Sequence, residues 1–321
     1  MADEPFVFAL RSAGALGERI ARGLGVAPRP LEERDFEDGE HKSRPLVGVR
    51  GRDVYVVMAL YGGGGQSVDD RLIRALLFAG ALRDAGAGRI TAVAPYLCYA
   101  RKDRRTKPRD PVTTRHVARL FEAVGVDRIV TIDVHNLAAY QNAFRIGTEH
   151  LEARGLFVER CRAWPDPVTV VSPDPGGYHR AEALRDALAE VRPAPIGLAV
   201  MGKHRSEGVV SGELLVGPIE GRIAIIVDDL IATGTTLVRC AEACRRRGAL
   251  EVHALATHAV FSAGAGATLA APALDTVTVT DTVSGRSAEI DALDKVTVLD
   301  VAPVLAGAID ALHRDGTLAD V

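Results

Sequence analysis

The segment Ile225–Thr236 (Ile-Ile-Val-Asp-Asp-Leu-Ile-Ala-Thr-Gly-Thr-Thr) holds the residue types best suited to chemistry in this chain. An apolar run ends in two adjacent carboxylates, Asp228 and Asp229. A short turn through Ala232 then supplies Thr233, Gly234, Thr235 and Thr236, and a helical pattern follows. Backbone N–H groups at a helix start point outward with partial positive charge and suit a phosphate. Gly234 allows close backbone approach, and the threonine hydroxyls add donors. The carboxylates can accept bonds from sugar hydroxyls or hold Mg²⁺. A sugar phosphate satisfies both halves of such a site. The competing reading is a turn with an N-cap box, but two carboxylates at the end of a buried strand are costly unless used.

Further candidates lie at other strand ends. Asp174 follows Val168–Ser172 and precedes Gly176-Gly177, which suits a carboxylate facing a cation or a phosphate. His135 follows Asp133; as a Mg²⁺ ligand it is unusual, and as a hydrogen-bonding group to substrate it is ordinary. Lys203 and Arg205 follow the apolar run Ile196–Met201, and alternate positions on a continuing strand point the same way. The run Arg101, Lys102, Asp103, Arg104, Arg105, Lys107, Arg109 offers enough cationic reach for a triphosphate, or is a solvated basic loop. Tyr61 is followed by Gly62–Gly65. Without a following Lys-Ser/Thr this is no Walker loop, and it reads as a turn with no ligand or an effector site. His41, His204 and His258 lie near these segments and read as structural or solvated.

The elements that must position these residues alternate. Short Val/Ile-rich runs (53–60, 89–97, 128–134, 168–172, 222–227, 252–260) lack polar alternation, as in parallel strands covered on both faces. Helical patterns lie between them at 70–85, 112–124, 178–188 and 235–247, so the chain reads as α/β with right-handed crossovers. It also repeats itself. Ala79–Tyr96 lies without gaps on Ala241–His258, with Ala79, Ala81, Arg83, Gly86, Ala87, Ala92 and Ala94 meeting identical residues. Gly51-Arg-Asp-Val-Tyr-Val-Val echoes Gly221-Arg-Ile-Ala-Ile-Ile-Val upstream, which indicates duplication. The Pro-bearing stretch 164–167 marks the boundary region.

The whole chain fits this picture. Its 321 residues suit two domains, 47% hydrophobic residues suit a sizeable core, and a net charge of −3 excludes a dedicated nucleic-acid binder. Four cysteines form no CxxC pair, which gives no zinc signature and suits a reducing compartment. No secretory signal and no apolar run of membrane-spanning length is visible, so a cytoplasmic enzyme is expected.

The segment at 225–236 resembles the ribose-phosphate loop of the type I phosphoribosyltransferase fold. Other motifs, in order along the chain, narrow the resemblance to the ribose-phosphate pyrophosphokinase family. Phe36-Glu-Asp-Gly-Glu40 resembles its adenine loop. Tyr99-Ala-Arg-Lys-Asp-Arg-Arg105 with Pro108-Arg-Asp-Pro-Val-Thr113 resembles its nucleotide flap. Asp133-Val-His135 and Ser172-Pro-Asp174-Pro-Gly-Gly177 resemble its Mg–ATP site, and Lys203-His-Arg205 its catalytic pair. Each motif is modest alone; five in order are specific. The segments 41–45 and 98–113 look like the phosphate-independent branch known from plants.

The resemblance implies two pseudo-symmetric phosphoribosyltransferase-like domains, each with a mainly parallel sheet flanked by helices. The expected limits are 1–155 and 156–321, with a C-terminal segment able to pack back on the first. It implies transfer of the ATP diphosphate to the anomeric hydroxyl of ribose 5-phosphate, with Mg²⁺ as cofactor. Lys203 and Arg205 are then catalytic. Phe36, Asp38, Gly39, Glu40, Arg101, Lys102, Asp103 and His135 serve ATP, His135 and Asp174 serve the metal, and Asp228, Asp229 and Ala232–Thr236 serve ribose 5-phosphate. A homo-oligomer with sites at or near a subunit interface is expected, with no nucleic-acid or membrane partner. Three positions depart from the commoner pattern: Ala232 stands for aspartate, Asp38 for asparagine and Lys102 for glutamine. Ala232 keeps two rivals in view, a base phosphoribosyltransferase and a non-catalytic regulatory paralogue.

Overall fold

The buried Val/Ile runs form two sheets, one in each of two units into which the chain divides: residues up to Leu151 together with those from Asp300 onward, and Glu152–Leu299. The structure, a computed structural model, describes residues 4–206, 209–285 and 287–318, without the side chains of 203–213.

In the first unit the chain runs through β1 (Phe6–Ala9), α1 (Gly14–Gly23), β2 (Leu31–Asp35), β3 (His41–Pro45), β4 (Asp53–Val57), α2 (Val68–Asp84), β5 (Arg89–Val93), α3 (Thr113–Ala123), β6 (Arg128–Ile132), α4 (Leu137–Ala143) and β7 (Gly147–Leu151). Strands β1-β4-β5-β6-β7 form a wholly parallel sheet in that order. Polar β2 and β3 stand apart as an antiparallel hairpin packed on α2. The apolar run at 53–60 ends as a strand at Val57, three residues before its apolar character does. Met58 and Leu60 remain buried in the core with Phe8, Phe78 and Phe121.

The second unit runs through α5 (Arg154–Cys161), β8 (Val168–Ser172), α6 (Tyr178–Val191), β9 (Gly197–Ser206), β10 (Val209–Val216), β11 (Ile223–Ile231), α7 (Thr235–Arg246), β12 (Glu251–Ala259), α8 (Ala265–Leu269), β13 (Thr276–Thr280), α9 (Ala288–Asp291) and β14 (Val296–Leu299). Its sheet order is β10-β9-β8-β11-β12-β13-β14, parallel except for the β9–β10 pair. From β8 the chain first winds outward to β9, then returns to the other side as β11. That reversal is a topological switch point, where open α/β sheets leave a crevice at the strand carboxyl ends.

A last helix, α10 (Ala302–His313), belongs to the first unit and packs on α1. Asp53 fastens it: its carboxylate accepts from His313 Nδ1 at 2.8 Å and from Arg89 at 2.6–2.7 Å, while Arg89 also donates to the Leu312 carbonyl.

The duplication is visible bond by bond. The paired helices end at Asp84 and Arg246 and the next strands start at Arg89 and Glu251, positions that the ungapped alignment superimposes. Gly51 N–H donates to Gly86 O at 2.8 Å, and Gly221 N–H to Gly248 O at 2.9 Å. Arg83 binds Asp127, whose carboxylate also accepts from Ile90 N–H; Arg245 binds Asp275, whose carboxylate accepts from Val252 N–H. A salt-bridged arginine thus ties helix, strand and following turn together in both copies.

Candidate functional site

The second unit's switch point gathers the strongest candidates. Strand β11 is flanked by β8 only as far as the pair Ile226↔Val171, whereas pairing with β12 continues to Ile231↔Ala259. The carboxylates lie within β11, not after it, on the stretch that has outrun β8. Asp229 is buried, and its N–H donates to Asp228 Oδ1 at 2.8 Å. Burial, then the adjacent Asp229 charge, pushes the Asp228 carboxyl up to about 7.

A cation among the described residues faces this pair. Arg180, in the first turn of α6, places Nη1 3.8 Å from Asp228 Oδ1 and 3.9 Å from Asp229 Oδ1. Arg180 was missed in the sequence because it reads as an ordinary helix residue two positions from Glu182, with the carboxylates it faces 48 and 49 positions further on. The available signal was its place just after Gly176-Gly177, at the start of a helix following a strand end.

Asp174 is exposed at the neighbouring strand end. Its Oδ1 accepts from Gly177 N–H at 3.0 Å, and Ser172 Oγ donates to its carbonyl at 2.6 Å, so the turn into α6 holds the carboxylate in place.

In the turn after β11, Gly234 stands at φ +80°, the left-handed region glycine favours, and begins α7. A Cβ there would stand 2.8 Å from Leu269 Cδ2, so any other residue would have to displace that buried leucine. Thr233 Oγ1 and Thr235 Oγ1 are 3.1 Å apart, and Thr233, Thr235 and Thr236 are exposed at the helix start. The turn is braced from behind: Ser262 N–H donates to the Ala232 carbonyl and Phe261 N–H to that of Ile231, both at 2.9 Å. His258 has a structural place, buried with Nδ1 2.8 Å from Thr282 Oγ1. Chemically, this crevice can bond hydroxyls at one end and an oxyanion at the other.

Lys203 and Arg205 fall within β9, with backbone register Lys203↔Glu213 and Arg205↔Val210; their side chains, and that of His204, lie outside the described residues.

In the first unit, Phe36–Glu40 is the exposed tip of the β2–β3 hairpin. Gly39 lies at φ +90°, Phe36 N–H donates to the Glu40 carbonyl, and Asp38 Oδ1 accepts from Glu40 N–H at 3.0 Å. Phe36 is 40% exposed, with the Arg34 guanidinium 5.2 Å from its ring centre. The basic segment is organised by a residue the sequence reading passed over, Asp110. Its carboxylate accepts from Lys102 Nζ at 2.6 Å, Thr106 Oγ1 at 2.7 Å and the N–H groups of Thr106 and Lys107. The Lys102 contact leads in holding the Asp110 carboxyl well below the usual range. Asp103 accepts from Asn136 Nδ2 at 2.6 Å, which brings the segment beside exposed His135. Arg101 is exposed. Among the described residues no three His, Cys, Asp or Glu side chains cluster to hold a metal. The four cysteines are buried and form no disulfide.

Comparison with known proteins fits this geometry. Residues 6–125 match the family model for the N-terminal domain of ribose phosphate pyrophosphokinase, and residues 210–321 that for the phosphoribosyl synthetase-associated domain. The chain is 39% identical over 277 residues to the ribose-phosphate pyrophosphokinase of Vibrio vulnificus, covering 85% of each chain. It is 38% identical over 260 residues to that of Fusobacterium nucleatum, covering 80% of this chain and 79% of the relative. The crystal structure of phosphoribosylpyrophosphate synthetase from Mycobacterium smegmatis superposes with a TM-score of 0.88 at 32% identity, over 98% of this chain and 100% of that one. The chain belongs to the ribose-phosphate pyrophosphokinase family. No helix among the described residues is long and apolar enough to cross a membrane.

Proposed function

We propose that this chain transfers the diphosphate of ATP to the anomeric hydroxyl of ribose 5-phosphate, giving 5-phosphoribosyl 1-diphosphate and AMP. The observation that carries the reading is the β8/β11 switch point. There a carboxylate pair and a threonine-lined helix start lie on one strand and its following turn, spaced for the hydroxyls and the phosphate of one sugar. Asp228 and Asp229 accept from the ribose hydroxyls. Thr233–Thr236 hold the 5-phosphate, with Ala232 contributing backbone only. Phosphoryl-type transfer needs positioning and charge neutralisation more than covalent help, so Lys203 and Arg205 stabilise the charge on the migrating diphosphate. Phe36, Asp38, Gly39 and Glu40 serve the adenine, from a neighbouring subunit of a homo-oligomer. Arg101, Lys102, Asp103 and His135 serve the nucleotide phosphates.

The residues fit Mg²⁺. Exposed Asp174 and the Asp228–Asp229 pair are oxygen donors, the atom type this ion prefers. Mg²⁺ takes one or two carboxylates and completes its shell with water and substrate phosphate, so three clustered protein ligands are not required. When bound, the ion neutralises charge on the diphosphate. His135, a nitrogen donor, fits a hydrogen bond to substrate better than the metal. Buried cysteines outside any disulfide support a cytoplasmic setting.

Incubation of the protein with Mg²⁺, ATP and ribose 5-phosphate, followed by phosphorus NMR, tests this. Stoichiometric AMP and a new anomeric diphosphate are expected, with Lys203→Ala slower by about 10²–10³. ADP as product overturns the reading, as does no turnover by folded protein, and the latter favours a regulatory paralogue. Turnover without inorganic phosphate is expected from the resemblance of 41–45 and 98–113 to the phosphate-independent branch.

A further inference from the structure

We propose a second oxyanion site in the first unit, at the four-glycine turn between β4 and α2, with Arg71 as its cation. Nothing in the mechanism above uses this residue. Arg71 is only 8% exposed. Its Nη2 donates to the Gly63 carbonyl at 2.7 Å, while Nε and Nη1 are buried with no hydrogen-bond partner. The guanidinium lies 4.7 Å from the centre of the Tyr61 ring, which contributes a face but no acceptor. A buried cation so poorly matched is costly, and removal of the cost calls for a negatively charged oxygen ligand. A guanidinium fork suits phosphate and sulfate geometry better than any other side chain.

The turn above it is built for close approach. Gly63, Gly64 and Gly65 all have positive φ (152°, 60° and 80°). The nearest atom to a Cβ placed on Gly63 or Gly64 is Arg71 Nη2, at 3.6 and 3.8 Å, and a Cβ on Gly65 meets nothing within 4 Å. The guanidinium therefore sits directly beneath a backbone turn free of side chains, at the start of a 17-residue helix. Because Nε and Nη1 lie below the surface, binding shifts the glycine turn and brings its amides and the fork onto one anion. The two acidic residues of the helix's first turn have partners of their own. Asp70 forms a capping box with Ser67, and Asp69 accepts from the Tyr99 hydroxyl. The turn occupies the place in the duplicated scaffold that the Thr233–Thr236 turn holds in the second unit. The ligand class is a tetrahedral oxyanion, either free inorganic phosphate or sulfate, or the phosphate of a monoester.

Crystals of the full chain soaked in selenate locate the site without reference to turnover. An anomalous peak within hydrogen-bonding distance of the Arg71 guanidinium and the 63–65 backbone is expected. No peak there, with the turn free of lattice contacts, overturns the proposal. In solution, calorimetric titration of sulfate at constant ionic strength, with ribose 5-phosphate already saturating, is expected to show binding. Arg71→Met weakens it about 10-fold or more, and Arg71→Lys retains part of it. Equal binding by Arg71→Met overturns the proposal, and if that variant fails to fold the wild-type selenate map decides alone. Displacement of selenate by phosphate, but not by glycerol 3-phosphate, assigns the free ion; displacement by both assigns the ester.

Discussion

The turns after β4 and β11 start from the same scaffold and end as different machines. Both follow a buried strand and precede a helix, and the strand, helix and next strand around them keep the same backbone bonds and the same salt-bridged arginine. The second turn is short, carries Thr233–Thr236 and sits beside two carboxylates that have outrun β8. The first is longer, has four glycines and no carboxylate on β4 beyond Asp53, and that residue fastens α10. Their sheets differ accordingly. The second reverses winding at β8/β11; the first runs β1-β4-β5-β6-β7 without reversal and so makes no comparable crevice. Duplication preserved what holds an α/β layer together, while the chemistry followed the sheet's winding.

This contrast can be broken most sharply at the glycines. Gly234→Val forces a branched side chain into left-handed backbone and against Leu269, displacing the phosphate-binding turn. A loss of about 10²-fold or more in kcat/KM for ribose 5-phosphate is expected. Gly64→Val strains left-handed backbone as well, but in a turn given no contact with the sugar, and should cost less than about a tenth of that in the same assay.

The carboxylate pair gives a smaller effect with a definite sign. Asp228 holds its proton more tightly folded, at about 7, than at its ordinary value of 3.8. Between those values the folded chain binds more protons than the unfolded one. Stability therefore falls as pH rises through that window, by up to about 1.4 kcal/mol per pH unit. Urea denaturation from pH 4 to 8 should show this slope, and Asp228→Asn should flatten it. Since an ionised pair accepts from sugar hydroxyls, the KM for ribose 5-phosphate should rise below pH 7. Arg180→Met should raise that KM by about 10-fold, with Arg180→Lys partly restoring it. An unchanged KM would mean that Arg180 does not tune the pair.

The smallest effect should be the most alike in the two units. Arg83→Met and Arg245→Met each remove a charged hydrogen bond and contacts to backbone carbonyls, at about 1–2 kcal/mol. Hydrogen exchange of β5 and β12 amides should speed up equally in the two variants. Unequal loss would show that the shared clamp serves only one copy.

Much of the scaffold was legible in the chain. The Val/Ile runs located the six strands at the centre of the sheets, since strands covered on both faces cannot alternate. The Ala79–Tyr96 and Ala241–His258 echo located the repeat to the residue. Less legible were β2 and β3, whose residues are mostly polar because they form a hairpin on α2 and not part of a buried sheet. Strands β13 and β14 escaped too: the Thr-Val alternation of β13 is buried on both faces, Thr278 and Thr280 being hidden with its valines.

By itself the sequence determined which residue types stand at which strand ends: the carboxylate pair, the Thr-Gly-Thr-Thr turn, Asp174 and the basic segment. These are local facts, set by a short run and the helix or strand it caps. Only the tertiary structure decided that Arg180 faces Asp228 and Asp229, that Asp110 holds Lys102, that Asp53 fastens α10, and that Arg71 is buried beneath a glycine turn. Each depends on how far one strand outruns its neighbour or on which face a helix packs. Those quantities come from sheet order and burial, and no local spacing in the chain encodes them.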